Sequence, residues 1–126
     1  MEANELRIGN MVKYSDQFGE DFDFVIEIGS ESCLLENYGE LFYYNGLEPI
    51  LLTPEWLERA GFELKGSRYY HHKYSGLPLE FELGAWFLKI DDHPYAEPLY
   101  VHQLQNLYFA LTGEELSFNL NQFKRK

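Results

Sequence analysis

The chain has 126 residues, enough for one domain or two small lobes, and its 45% apolar and 17% aromatic content excludes a mainly disordered protein. The formal net charge of −11 is uneven, because residues 1–60 carry thirteen acidic against three basic side chains and residues 61–126 carry eight against seven. An acidic surface repels phosphates, so the first half is unsuited to binding nucleic acid. The single cysteine, Cys33, excludes an internal disulfide and lies in a short apolar run that predicts a core position.

The sequence contains no targeting signal and no known cofactor-binding motif. Its acidic start lacks the basic segment of a signal peptide, and no apolar run approaches the roughly 20 residues of a membrane helix. Phosphate-loop and dinucleotide-binding glycine patterns are also missing from the sequence. We therefore expect a cytoplasmic protein that has no cofactor and no membrane partner.

The first half is dominated by short strand signals. Residues 6–14 predict a strand with a bend at Gly9-Asn10, and residues 15–23 predict a loop. Asn45-Gly46 is typical of a two-residue hairpin. Further strands are predicted at residues 24–28, 32–36, 41–44 and 47–50. Four or five strands at this spacing predict a small SH3-like β-barrel or a twisted meander.

A short helix should follow. Thr53 is a good N-cap, Pro54 suits the first helical position, and Gly61 can adopt the left-handed conformation that ends a helix. The helical spacing of the apolar residues predicts a buried face made of Trp56, Leu57 and Ala60.

The rest of the second half predicts antiparallel strands and a long C-terminal helix. Strand signals cover residues 63–65, 68–74, 79–83 and 86–90, and residues 91–94 predict an irregular connection. The helix is predicted over residues 100–113, ending at Gly113. Its apolar stripe should cover the second-half sheet and consists of Val101, Leu104, Leu107, Tyr108 and Leu111.

The order of the elements predicts an α+β fold. We expect a single compact domain over residues 1–126. Within it, residues 1–48 would form a β-rich lobe, residues 49–116 an α+β lobe and residues 117–126 a tail.

The polar side of the long helix is the first candidate site. His102, Gln105, Asn106 and Phe109 recur at spacings of three and four, so they predict one strip along the helix. Neutral hydrogen-bonding groups beside an aromatic ring suit a partner groove or self-association. The alternative is a helix covered on both sides, whose polar groups bond to neighbouring backbone.

The second candidate is a weak basic-aromatic patch. It consists of Arg68, Tyr69, His71 and Lys73, of which the last three should share one strand face. Such a face can stack bases and track phosphates. Glu80 and Glu82 on the next strand could instead pair with these cations.

The histidines raise a third possibility, a small enzyme or metal site around His71, His93 and His102. Asp91 and Asp92 adjoin His93, whereas His71 and His72 should point to opposite faces of a strand. No paired ligand spacing such as HxxxH or CxxC supports a metal site, so none is predicted.

Several blocks of the sequence together resemble a known group of proteins. They are residues 5–10, residues 47–53, residues 55–57 with 61–62, and above all the block YVHQLQNLYFALTGEEL at residues 100–116. The chain resembles a family of small uncharacterised proteins encoded by Bacteroides-type gut bacteria and by their phages and prophages. The resemblance implies a cytoplasmic accessory protein of a bacterium, phage or mobile element, and it implies no site residues.

We therefore expect a non-enzymatic protein-interaction or accessory module, with a protein partner or a second copy of the chain. The main alternative is an acidic nucleic-acid mimic that binds a DNA-binding protein. Carboxylates of residues 16–48, spaced like phosphates along one face, would support that alternative.

Overall fold

The chain has an α+β fold built of two antiparallel sheets and a C-terminal helix, as predicted. The structure, a computed structural model, describes residues 1, 3–66, 69–82, 85–90, 93–96 and 98–119. It divides into two compact units. The first unit comprises Met1–Leu51 and Tyr100–Asn106, and the second comprises Leu52–Leu99 and the chain from Leu107 onward.

The first unit contains a curled, barrel-like sheet of five strands. In chain order these are β1 (Met11–Asp16), β2 (Gly19–Ile28), β3 (Ser32–Leu35), β4 (Leu41–Tyr43) and β5 (Leu47–Glu48). Their order in the sheet is β4-β3-β2-β1-β5, so β4 and β5 are its edges. Cys33 is fully buried in the core, as predicted. The core residues are Leu6, Val12, Val25, Cys33, Leu35, Tyr44 and Leu47.

Two predictions for this unit are wrong at the level of pairing. Residues 15–23 are not a loop, because β1 and β2 form a tight hairpin whose last pair is Asp16 and Gly19. Asn45-Gly46 does not form a two-residue hairpin but lies in a 3-10 helix, Tyr44–Gly46. The chain then leaves β4 and pairs β5 with β1, which buries Leu47 in the core. The burial of Leu47 therefore outweighs the local preference of Asn45-Gly46 for a two-residue turn.

The segment before β1 is also not the predicted strand. Residues Ala3–Glu5 form a 3-10 helix, and the side-chain oxygen of Asn10 accepts from the backbone N–H of Arg7 at 2.7 Å, which closes a turn. As a result Ile8 is exposed, although a period-two strand would bury it beside Leu6. An asparagine that caps its own turn competes with strand pairing.

The helix that opens the second unit, α1 (Pro54–Arg59), confirms its prediction. Thr53 accepts from the backbone N–H of Trp56 at 3.4 Å, and Gly61 has φ +92°. Trp56, Leu57 and Ala60 are buried.

A five-stranded antiparallel meander follows α1. Its strands are β6 (Phe62–Lys65), β7 (Tyr69–His72), β8 (Pro78–Glu82), β9 (Ala85–Ile90) and β10 (His93–Ala96), in the order β10-β9-β8-β7-β6. The predicted irregular connection after Ile90 therefore contains an additional strand. Pro94 pairs with Lys89 at the sheet edge, where a residue without an N–H is tolerated.

The long helix, α2 (Val101–Thr112), has a narrower apolar stripe than predicted. Val101, Leu104 and Tyr108 are buried, whereas Leu111 is 40% exposed. Its residues 101–106 belong to the first unit and residues 107–112 to the second. The helix was predicted to pack on the second-half sheet alone, and its first half instead belongs to the unit of the first sheet. The backbone N–H of Val101 donates to Ile50 O at 2.8 Å, which ties the helix start to the first unit.

Residues 117–119 of the predicted tail contact α1. The ring of Phe118 packs edge-on against Trp56 with ring centroids 5.9 Å apart. The backbone N–H of Asn119 donates to Arg59 O at 2.7 Å. Residues 120–126 lie outside the described residues.

Candidate functional site

Gln105 of the predicted helix strip is a buried structural residue. Its side-chain oxygen accepts from the backbone N–H of Met11 at 2.7 Å, and its amide nitrogen donates to Gly9 O at 2.9 Å. One side chain thus bonds to a backbone donor and a backbone acceptor at the start of β1, as a neighbouring strand would. Gln105 therefore follows the alternative expectation, in which the polar groups of the helix bond to neighbouring backbone.

Asn106 belongs to the same hydrogen-bonded cluster of the first unit. Its side-chain oxygen accepts from Arg7 Nε at 3.1 Å and from Asn10 Nδ2 at 2.8 Å. Arg7 also reaches Gln105 O at 3.5 Å. The cluster connects the turn before β1 to the start of α2, so this part of the strip stabilises the unit and is not a free surface.

His102 is also buried, with 1% of its surface exposed. Its ring stacks on Tyr100 with centroids 5.9 Å apart and an interplanar angle of 6°. Burial lowers the pKa of His102, and the nearby charge of Glu5 opposes this only in part. Among the described residues its Nδ1 has no hydrogen-bond partner. Because its imidazole is buried, His102 is not accessible to a binding partner.

Phe109 is the only strip member with a large exposed fraction, 39%. It belongs to the second unit, whereas the other three strip residues belong to the first. The strip expected from the sequence is therefore not one exposed surface. Helical spacing cannot distinguish a polar side that faces solvent from one that bonds to a neighbouring turn.

The basic-aromatic patch of the second unit is exposed but partly neutralised. Tyr69 and His71 lie on the wet face of β7, while Tyr70 and His72 lie on the buried face, which confirms the predicted alternation. Lys65 and Lys73 form ion pairs with Glu63 at 3.5 and 4.0 Å. Arg68 lies outside the described residues. The ion pairs of Lys65 and Lys73 with Glu63 leave little charge for a phosphate backbone.

The histidine site expected as an alternative receives no support from the described part of the chain. No group of three or more His, Cys, Asp or Glu residues there is placed to hold a metal ion. Asp91, Asp92 and the side chain of His93 lie outside the described residues. His71 and His102 belong to different units.

His72 lines a cavity of the second unit, about 460 Å³ in volume, together with Tyr108, Glu58 and Lys73. Its Nδ1 accepts from the backbone N–H groups of Tyr74 and Ser75 at 3.3 and 3.2 Å, and the hydroxyl of Tyr108 lies 3.3 Å away. Burial lowers the pKa of His72, against a smaller effect of its hydrogen bond to Ala60. Because its lone pair is already used by backbone donors, His72 is poorly suited to act as a base or metal ligand.

The outer side of the first sheet is a surface that sequence reasoning missed. Residues that pair across antiparallel strands share one face, and the pairs here are Glu27 with Leu34, Leu34 with Leu41, and Ser32 with Tyr43. Leu41 is 66% and Tyr43 67% exposed. Four exposed carboxylates adjoin these strands: Glu27 lies in the same row, and Glu31, Glu36 and Glu40 lie just beyond the ends of β3 and β4. We call this set of residues, with Ile26, the acidic apolar face.

The carboxylates of the acidic apolar face are not neutralised by the described residues, among which none of the four has an ion-pair partner. The two basic residues of 1–51 are engaged elsewhere. Lys13 pairs with Glu48 at 3.3 Å and lies 3.8 Å from Glu20, and Arg7 binds Asn106. The face therefore combines exposed apolar side chains with uncompensated negative charge.

Buried Asp23 holds the turn that carries part of this face. Its carboxylate accepts from the backbone N–H groups of Asn37 and Tyr38 at 3.0 and 2.7 Å, and from the side-chain amide of Asn37 at 3.0 Å. The turn between β3 and β4 is thereby fixed. Residues 41–44 are all apolar or aromatic, so the sequence shows no alternation that would tell the exposed side of the strand from the buried side. The nearby acidic residues Glu36 and Glu40 were the one signal of an exposed edge.

Comparisons of the chain with protein-family profiles, with curated proteins and with solved structures found no match. The resemblance to the Bacteroides-type family accordingly stays a prediction. Within the described ranges, no helix has both the length and the apolar character needed to cross a membrane.

Proposed function

We propose that this chain is a non-enzymatic protein-interaction module whose first unit binds a basic partner protein through the acidic apolar face. The observation that carries the proposal is the exposure of Leu41 and Tyr43 beside four carboxylates that have no ion-pair partner among the described residues. Exposed apolar side chains rimmed by charge are the usual anatomy of a recognition surface.

The two parts of this face would contribute differently. Leu41 and Tyr43 together supply apolar area that is removed from water on binding, which provides affinity. The carboxylates attract a basic partner at long range and reject acidic competitors, which provides association rate and specificity. Residues 1–51 carry eleven acidic against two basic side chains, so this steering would be strong at low salt.

An enzyme is supported less well by the described residues. His72 uses its Nδ1 lone pair on backbone N–H groups, His102 is enclosed, and burial raises the pKa of the Cys33 thiol. None of these groups offers the accessible, activated atom that nucleophilic or acid–base catalysis needs.

The acidic nucleic-acid mimic remains the rival within the class of binding proteins. It shares the negative charge of the first unit but has no need of exposed Leu41 and Tyr43, since a phosphate backbone presents no apolar groups. These two side chains favour a partner surface that recognises apolar groups as well as negative charge, which a surface that binds only phosphates does not need.

The resemblance extends the proposal to cellular context. We place the protein in the cytoplasm of a Bacteroides-type bacterium, as an accessory protein encoded by the bacterium, a phage or a mobile element.

Affinity capture from lysates of such a host, with and without phage infection, tests the proposal. The baits are the natural chain, the double variant Glu31→Gln/Glu40→Gln on the face, and the control Glu20→Gln/Glu48→Gln, which changes charge equally elsewhere in the unit. We expect specific partners to be retained by the control and lost by the face variant. Equal capture by all three baits would contradict the proposal.

One further bait distinguishes the proposal from the nucleic-acid mimic. Leu41→Ser/Tyr43→Ser should lose the partner if the apolar residues anchor it. If capture persists in that variant and duplex DNA displaces the partner, the protein is a nucleic-acid mimic instead.

A further inference from the structure

We infer that β4 is a docking edge, to which the basic partner adds an extended segment as a sixth strand of the first sheet. This inference rests on the proposed function and names the partner's chemistry, a segment in which basic and apolar side chains alternate. It begins from the position of β4, which is an edge strand bonded to β3 alone.

The phase of the β3–β4 ladder shows where the backbone of β4 points. The N–H of Tyr44 donates to Glu31 O at 3.3 Å, and hydrogen-bonded pairs alternate with non-bonded pairs in an antiparallel ladder. Phe42 is therefore the residue of β4 that bonds to Cys33 in β3. The N–H and C=O groups of Leu41 and Tyr43 point away from β3, toward the open edge.

These outward groups would bond to an added strand. The N–H and C=O groups of Leu41 and the N–H of Tyr43 have no hydrogen bond to another described residue. The C=O of Tyr43 is different, because Tyr43 is the N-cap of the 3-10 helix Tyr44–Gly46 and its C=O accepts the first bond of that helix. Two donors and one acceptor are therefore open to an extended chain in strand addition. The short length of β4 limits the contact to these three groups, so we expect a dissociation constant on the order of 100 μM for an isolated segment.

Carboxylates at both ends of β4 identify a basic occupant. Glu40 directly precedes the strand, and Glu31 is bonded through its backbone to Tyr44 just beyond the other end. An open depression of about 750 Å³ adjoins that second end and is lined by Ser30, Glu31, Tyr43 and Asn45 among others. The ammonium group of Met1 also lies there, donating to Tyr44 O at 3.4 Å.

Side-chain alternation in the occupant follows from the face. In an added strand every second side chain lies on the outer side, next to Leu41 and Tyr43, and these positions favour apolar residues. The basic residues would reach Glu31 and Glu40. A second copy of this chain is disfavoured, because each first unit carries nine more acidic than basic side chains.

The sharpest test is Tyr43→Pro compared with Tyr43→Ala. Tyr43 has φ −70° and ψ 142°, which proline adopts without strain, and its N–H is not used by β3. Both variants lose the exposed ring, but only Tyr43→Pro loses the outward donor and blocks the edge. The probe is the labelled peptide acetyl-Lys-Val-Lys-Val-Lys-Val-Lys-amide, measured by fluorescence anisotropy at low salt.

We expect Tyr43→Pro to bind the peptide about tenfold more weakly than Tyr43→Ala, and the natural chain to show slowed amide exchange at Leu41 and Tyr43 when the peptide is present. The peptide Lys-Lys-Val-Val-Val-Lys-Lys should bind more weakly at equal charge. Equal affinity of the two Tyr43 variants, or no change in amide exchange, would overturn strand addition. Circular dichroism checks that both variants fold, and the exchange measurement needs no variant.

The outcomes also separate this inference from the proposed function. If lysate capture depends on Glu31 and Glu40 but is equal for Tyr43→Pro and Tyr43→Ala, the face binds its partner and strand addition is wrong. If capture is independent of Glu31 and Glu40 as well, the proposed function fails. A dimer of the natural chain in sedimentation equilibrium that Tyr43→Pro dissociates would overturn the basic partner in favour of a second copy.

Discussion

Replacing Gln105 by methionine would remove both of its hydrogen bonds while nearly preserving the volume of the side chain. The N–H of Met11, whose residue is fully buried, would lose its acceptor, and Gly9 O would lose its donor. A buried group left without a partner costs about 1–3 kcal/mol. Gly9 is half-buried, so its carbonyl can recover part of this loss from water.

We therefore expect Gln105→Met to lower the free energy of unfolding by about 3 kcal/mol, with the Met11 amide contributing most. For a chain of this size that corresponds to a fall in Tm of roughly 12 °C. Gln103→Met is the matched control, because Gln103 is exposed, and its side-chain oxygen accepts from Tyr100 N at 3.2 Å near the helix start. It should cost under about 1 kcal/mol.

Urea denaturation followed by circular dichroism gives the stabilities, and amide exchange locates the effect. Both tryptophans, Trp56 and Trp86, belong to the second unit, so their fluorescence is not a direct probe of this site. In Gln105→Met the Met11 amide should exchange faster than in the control. If Gln105→Met is within about 1 kcal/mol of the natural chain, the structural role of Gln105 is refuted.

Three further predictions concern buried polar groups. Asp23→Ala should lower the free energy of unfolding by about 3 kcal/mol, measured in urea, because it strips the carboxylate from the N–H groups of Asn37 and Tyr38; a change below about 1 kcal/mol would contradict this. Burial lowers the folded-state pKa of His72 and His102 below the ordinary value of about 6.5, so their neutral forms stabilise the fold above that pH. Stability should fall as the pH drops below about 6.5 toward the lowered values, and His102→Gln should flatten this slope in a urea series; an unchanged slope would argue against His102. Burial, and secondarily the charge of Asp23, raises the pKa of Cys33, so a thiol reagent should modify it at least about 100-fold more slowly in buffer than in urea, and similar rates would show that it is accessible.

The parts of the fold that could be predicted are those whose signals are local. Thr53, Pro54 and Gly61 each act within a few residues of their own position, which is why α1 begins and ends as expected. The alternation of Tyr69, Tyr70, His71 and His72 likewise follows from strand geometry alone. Such signals do not depend on what the rest of the chain does.

The candidate site was less predictable because it depends on partners far away in sequence. The polar side of α2 read as a possible surface, yet Gln105 bonds to Gly9 and Met11, 96 and 94 residues earlier. The acidic apolar face is created by pairing β2, β3 and β4, which sets Glu27, Leu34 and Leu41 in one row. Neither arrangement has a signature within a single segment.

By itself the sequence determined an α+β chain with an acidic first half, a core cysteine, a capped short helix and a long helix with one apolar stripe. Those properties follow from composition, periodicity and capping, which act over short distances. Only the tertiary structure decided that β5 pairs with β1 rather than with β4, and that Gln105 stabilises a turn. It also left β4 as an open edge between carboxylates, because strand order is set by which apolar side chains reach the common core.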